Sequence, residues 1–123
     1  MHLGLTAKIT LVVSADDTAV AARSGDLPVL STPRIVALCE EAAVAAVTGQ
    51  LTDDETTVSM RVQLDHLAPS AVGSTVTASA KLEKVEGRRL KFSVSVSDAR
   101  GLVAAGKVTR VVVERDRFMD KCL

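Results

Sequence analysis

Aromatic side chains are almost absent: the 123 residues include two Phe and neither Trp nor Tyr. The 15 basic residues are balanced by 15 acidic ones. The chain therefore has neither the stacking platforms nor the basic stripe that nucleic-acid binding uses. Cysteine is scarce as well. Cys39 lies in a helical stretch and Cys122 in the C-terminal tail, which provides no disulfide framework, and neither has the neighbours of a zinc site. No stretch approaches the roughly 18 apolar residues of a membrane span, and the run from Met1 to Lys8 lacks a signal peptide's apolar segment. A cytoplasmic protein with no membrane or nucleic-acid partner is the expectation. A P-loop, a dinucleotide-binding glycine fingerprint, a Gly-x-Ser-x-Gly elbow and a metal-ligand cluster are also missing, so neither metal nor cofactor is expected.

The chain is rich in small and branched apolar residues. They make up most of a 47% hydrophobic content, enough for one core, and the length suits a single domain over residues 1–123. Residues 5–13 alternate, with Ala7, Ile9, Leu11 and Val13 on one side of a strand and Thr6, Lys8, Thr10 and Val12 on the other. Residues 14–28 are polar and read as a loop. Thr32 then suits a helix N-cap and Pro33 the first helical position. The apolar run through Ile35, Leu38, Ala42 and Val47 stops at Gly49. This helix is apolar nearly all round, which predicts burial.

Every later segment alternates as a strand. Val58, Met60, Val62, Leu64 and His66 share one face. Val76 to Leu82, Leu90 to Val96 and residues 102–113 follow, with turns at Glu86-Gly87-Arg88 and Asp98-Ala99-Arg100-Gly101. One helix segregated from consecutive antiparallel strands makes the fold class α+β.

Few residues can do chemistry near neutral pH. Of the two histidines, His2 is at a terminus, which leaves His66. A bland role for it is a strand-end side chain satisfied by a backbone carbonyl. Glu40 and Glu41 interrupt the apolar helix, and no Lys or Arg lies three or four positions from either. A buried carboxylate without a partner is costly or takes up a proton; an exposed seam is the alternative. Thr32 caps a helix, and a helix N-terminus can also polarise a carbonyl. Thr32 and Glu40 are eight residues apart, about 12 Å along a helix. If both serve one site, a substrate spans the gap or a second subunit contributes; a site at a dimer interface is the favoured arrangement.

Several segments resemble the fluoroacetyl-CoA thioesterase group of hot-dog proteins. They are Val29-Leu-Ser-Thr-Pro33 opening the helix, Glu40-Glu-Ala-Ala43 within it, and Val62-Gln-Leu-Asp-His-Leu-Ala-Pro69 followed by Gly73. Val85-Glu-Gly-Arg-Arg-Leu-Lys-Phe92 and Gly106-Lys-Val-Thr-Arg110 complete the set, which spans nearly the whole chain. The resemblance implies a hot-dog fold: one long central helix wrapped by an antiparallel sheet of about five strands, paired edge to edge in a homodimer.

The resemblance also implies hydrolysis of a small acyl-CoA to a carboxylate and free CoA. The family's catalytic threonine, glutamate and histidine fall on Thr32, Glu40 and His66, and its substrate-contacting arginine on Arg110. A glycine of the family is replaced by Ser59, which puts the local pocket shape in question. The fluoroacetate-specific member has a phenylalanine lid before the helix; Arg23 and Asp26 lie in that region here, so fluoroacetyl selectivity is not expected. A non-catalytic acyl-CoA or acyl-ligand binding module on the same fold is the alternative. A hydratase is disfavoured because the helix carries no histidine.

Overall fold

Period-two alternation needs a neighbouring strand to pair with and a cover on one face, and the chain supplies both. A computed structural model describes residues 1–123. The strands are β1 (Thr6–Val12), β2 (Glu55–His66), β3 (Thr75–Glu86), β4 (Arg89–Asp98) and β5 (Gly101–Glu114). The helices are α1 (Ala19–Ala22), α2 (Thr32–Ala46) and α3 (Arg115–Asp120). The strands form one antiparallel sheet in the order β1-β3-β4-β5-β2. Helix α2 lies across its inner face and joins the core through Ile35, Leu38, Cys39, Ala42, Ala43 and Ala46. No helix is long and apolar enough to cross a membrane.

The alternation predicted for β1, β3 and β4 is present. Val76, Ala78, Ala80 and Leu82 on β3, and Leu90, Phe92, Val94 and Val96 on β4, are all buried. Small Ala side chains on β3 let the Ala-rich face of α2 approach closely, the packing that a chain without large rings requires.

Four expectations need correction. Residues 14–28 are not a plain loop. They contain a single 3-10 turn at Ala15–Asp17 followed by α1. Asp17 is the hub: its Oδ2 accepts from the Ser14 backbone N–H and hydroxyl, and its Oδ1 from Arg34 Nε. These bonds, led by the Ser14 N–H, hold its carboxyl below the usual value against the cost of burial.

The cap of α2 is Ser31, whose Oγ accepts from the Arg34 N–H at 3.1 Å; Thr32 is the first helical residue. The helix is not buried all round. One sheet covers one side only, and on the other Glu41 and Val44 (44% exposed) face outward. Finally, β2 carries a bulge between Ser59 and Arg61, and an extra residue reverses the facing of everything before it. Val62, Leu64 and His66 face the helix as predicted. Before the bulge it is Thr57 and Ser59 that share the inner face with Val112 and Arg110, while Val58 pairs with outer Val111 and Met60 is exposed.

Candidate active site

Two polar clusters lie near α2, one at its first turn and one at its middle. At the first turn, Ser31 takes the capping role, so the Thr32 hydroxyl is free. It lies 2.7 Å from His66 Nδ1, which joins the start of α2 to the end of β2. The other ring nitrogen, Nε2, is buried and has no partner. A buried N–H without an acceptor is a rarer arrangement than a bare acceptor. The tautomer that suits this setting carries its proton on Nδ1 and donates to Thr32 Oγ1. The Thr32 O–H is then free to donate outward. The Thr32 backbone N–H also has no partner within the chain, and Pro33 contributes none.

At mid-helix, Glu40 and Glu41 part company. Glu41 points outward and pairs with Arg34 at 3.2 Å, a partner two helical turns back. Glu40 is partly buried, and its Oε1 accepts from Arg110 Nη1 at 3.2 Å. The absence of nearby cations along the helix was therefore no guide to Glu40, whose partner arrives from β5, 70 residues on. Arg110 is itself buried and held from two further sides: its Nε donates to Thr57 Oγ1 at 2.8 Å and its Nη2 to the Thr57 carbonyl at 2.9 Å. Burial pulls the guanidinium below its ordinary value, and the Glu40 charge opposes that pull.

Ser59 stands directly across from Arg110 on the same face, next to the bulge. Cys39, beside Glu40, offers no rival nucleophile, because burial, then the Glu40 charge, pushes its thiol up to about 11. No group of His, Cys, Asp and Glu is placed to hold a metal.

The structure thus joins Thr32 to His66 and Glu40 to Arg110, with Ser59 across from Arg110, but it keeps the two clusters apart. Thr32 and Glu40 are separated by about 12 Å along α2, and His66 and Ser59 by about 20 Å along β2. Thr57 and Ser31 are contributors that sequence reasoning missed. Thr57 becomes visible only once the bulge is known, and Ser31 sits one residue before an equally suitable Thr.

The profile of the fluoroacetyl-CoA-specific thioesterase family (FlK) matches residues 13–116. A fluoroacetyl-CoA thioesterase from Streptantibioticus cattleyicolor is 34% identical over 93 residues, which cover 76% of this chain and 67% of that protein. The solved structure of the fluoroacetyl-CoA thioesterase FlK superposes with a TM-score of 0.93 at 30% identity, covering 99% of this chain and 95% of the other. A variant of that enzyme was crystallised in complex with acetyl-CoA. A hot-dog-like protein from Thermanaerovibrio acidaminovorans superposes with a TM-score of 0.90 at 30% identity, over 98% of this chain and 89% of the other. By sequence and by fold, this chain belongs to the fluoroacetyl-CoA-specific thioesterase family, within the hot-dog thioesterases.

Proposed function

We propose that the protein hydrolyses a small acyl-CoA thioester to a carboxylate and free CoA, at a site shared between two subunits of a homodimer. The observation that carries this reading is the pair of clusters: a hydroxyl oriented by an imidazole, and a carboxylate oriented by a buried guanidinium. Thr32 O–H and N–H polarise the thioester carbonyl, helped by the positive end of the α2 dipole. Glu40, fixed by Arg110, takes a proton from the attacking water or itself attacks the carbonyl carbon. The C–S bond breaks, and CoA leaves as a weakly basic thiolate.

His66 acts through Thr32. Its Nδ1 is engaged and its Nε2 buried, so the Thr32 hydroxyl is its route to the substrate. Ser59 lies across from Arg110, where it narrows the pocket beside the acyl group.

A second subunit is supported by three features. The two clusters are too far apart to meet within one chain, β2 is an open sheet edge, and the far side of α2 is half-exposed and partly apolar. Antiparallel pairing of two β2 edges places the His66 end of one strand near the Ser59 end of the other. Thr32 and His66 of one subunit would then face Glu40 and Arg110 of the next. The pairing also covers a long edge that otherwise invites aggregation.

The test is release of free thiol from short to long acyl-CoA esters, with Glu40→Gln alongside. The expected result is a kcat lower by about a hundredfold or more in the variant, with KM changed little. Equal turnover in the variant would remove Glu40 from the chemistry. Acyl-CoA binding without thiol release from any ester would favour the non-catalytic module, a reading that the Ser59 replacement keeps in play.

A further inference from the structure

The structure assigns Asp17 as a positioning residue for Thr32: it grips the chain on both sides of that residue and so sets the direction of the Thr32 hydroxyl and N–H. The assignment rests on the carbonyl-polarising role proposed above for Thr32 and adds a residue that lies outside both clusters.

The grip is a closed ring of hydrogen bonds. Ser31 precedes Thr32, and its N–H donates to the Asp17 main-chain carbonyl at 2.9 Å. Arg34 follows in the first turn of α2, and its Nε donates to the Asp17 carboxylate at 3.0 Å. Ser31 and Arg34 are joined in turn, the Arg34 N–H donating to Ser31 Oγ. Thr32 sits inside this ring, and its own N–H has no partner within the chain. Its direction is therefore fixed by its neighbours, and both of the neighbours that matter end on Asp17.

Asp17 can do this because it is tied to the sheet. Its Oδ2 accepts from the Ser14 N–H at 2.8 Å and the Ser14 hydroxyl at 2.9 Å. Ser14 follows Val13, whose N–H and carbonyl bond Ser74 and Gly73 where β1 ends. A largely buried charge is a costly tie for a surface loop. Here all of its donors come from the two segments that must be held in register, the end of β1 and the first turn of α2.

The same frame reaches His66. The chain entering α2 runs between two stretches of backbone, with the Ala19 N–H bonded to the Val29 carbonyl and the Leu30 N–H to the Ser70 carbonyl, each at 2.8 Å. Ser70 lies on the segment that leaves β2 just after His66. Asp17 thus holds Thr32 against a backbone that is continuous with its imidazole partner, across the 2.7 Å bond between them. The other partner of Arg34, Glu41, is exposed and touches neither Ser31 nor Asp17, so it serves as the control.

The experiment compares wild type with Asp17→Asn, Arg34→Gln, Glu41→Gln, Thr32→Ala and Ile9→Ala, on the acyl-CoA that wild type turns over best. Temperature is set where circular dichroism shows every variant folded. Asn keeps the size of Asp but turns an amide donor toward donors. Ile9 packs on the core from β1, at the sheet edge opposite β2, and its truncation reports lost stability alone. In Asp17→Asn, kcat should fall about tenfold with KM within about twofold, since misplacing a reacting group by 1 Å costs up to about a hundredfold. Arg34→Gln should fall by a similar factor, and it carries the test if Asp17→Asn does not fold. Glu41→Gln and Ile9→Ala should keep the wild-type kcat. The ring-nitrogen resonances of His66 give a second readout. In Asp17→Asn and Arg34→Gln they should move toward their positions in Thr32→Ala, and in the two controls they should stay in place.

An unchanged kcat in both Asp17→Asn and Arg34→Gln would overturn the assignment. An equal loss in Ile9→Ala would reduce it to stability, and an equal loss in Glu41→Gln would trace it to the Arg34 charge. Full activity in Thr32→Ala, or no hydrolysis by wild type, would instead sink the catalytic reading of Thr32, and the His66 resonances then decide. Movement in Asp17→Asn and Arg34→Gln but in neither control upholds the positioning, and resonances that stay in place end it.

Discussion

Arg110 makes three side-chain contacts, and only one of them goes to Glu40; the other two go to the hydroxyl and carbonyl of Thr57. The two partners of the ion pair are therefore unequal. Removing the carboxylate leaves the guanidinium still bonded twice, whereas removing the guanidinium strands both the Glu40 charge and the two Thr57 oxygens. Arg110→Met should cost about 2–3 kcal/mol of stability, as breaking a largely buried pair does. Glu40→Gln, which keeps an oxygen for Arg110 Nη1, should cost about 1 kcal/mol or less. Urea denaturation of the two variants checks the asymmetry, and equal losses would show that Thr57 contributes nothing to holding Arg110. The same residues mark the reach of sequence reading. Glu40 and His66 stood out as polar residues in apolar surroundings. Glu40 could not be told from Glu41 by their helical neighbours, because the cations that separate them lie two turns away at Arg34 and on another strand at Arg110.

At the scale of elements, the pairing of β2 with β5 decides where the site residues stand. Gly106 pairs with Leu64 in that ladder, and a Cβ placed on it would run into the Gln63 carbonyl. The two backbones meet there at a separation that only glycine allows. Gly106→Ala should destabilise by about 1–3 kcal/mol or more, since backbone and not a flexible side chain must yield. It should lower activity as well, because β2 carries both Ser59 and His66. Thermal melting and kcat/KM of the variant test this together; a variant as stable as wild type would mean that β2 shifts freely against β5.

Legibility at this scale followed length and rhythm. Strands β1, β3 and β4 keep strict alternation at their inward positions, partly buried on β1 and buried on β3 and β4, and could be read directly. The bulge at Met60 could not, since an inserted residue leaves Val58, Met60 and Val62 looking like one continuous stripe. The short turns within residues 14–28 were equally silent, being too brief to show a helical period.

For the whole molecule, one sheet face covers one side of α2, and the half-exposed remainder carries the proposed catalytic row from Thr32 to Glu40. A helix that is apolar nearly all round was expected to be buried; in a single chain it is buried by half, and a second copy is the natural cover for the rest. The arrangement makes a quantitative prediction that separates a shared site from a site within one chain. Thr32→Ala and Glu40→Gln should each be nearly inactive as homodimers. If each site takes Thr32 and His66 from one subunit and Glu40 and Arg110 from the other, a heterodimer of the two variants contains one site with both defects and one with none. Unfolding and refolding an equal mixture makes about half of the dimers mixed, so about a quarter of wild-type activity should return. The measured quantity is thiol release after co-refolding, against each variant refolded alone. Recovery near a quarter requires the site to cross the interface. Two variants that stay inactive after exchanging subunits would place Thr32 and Glu40 in the same chain's site, and the substrate itself would then have to span the distance between them.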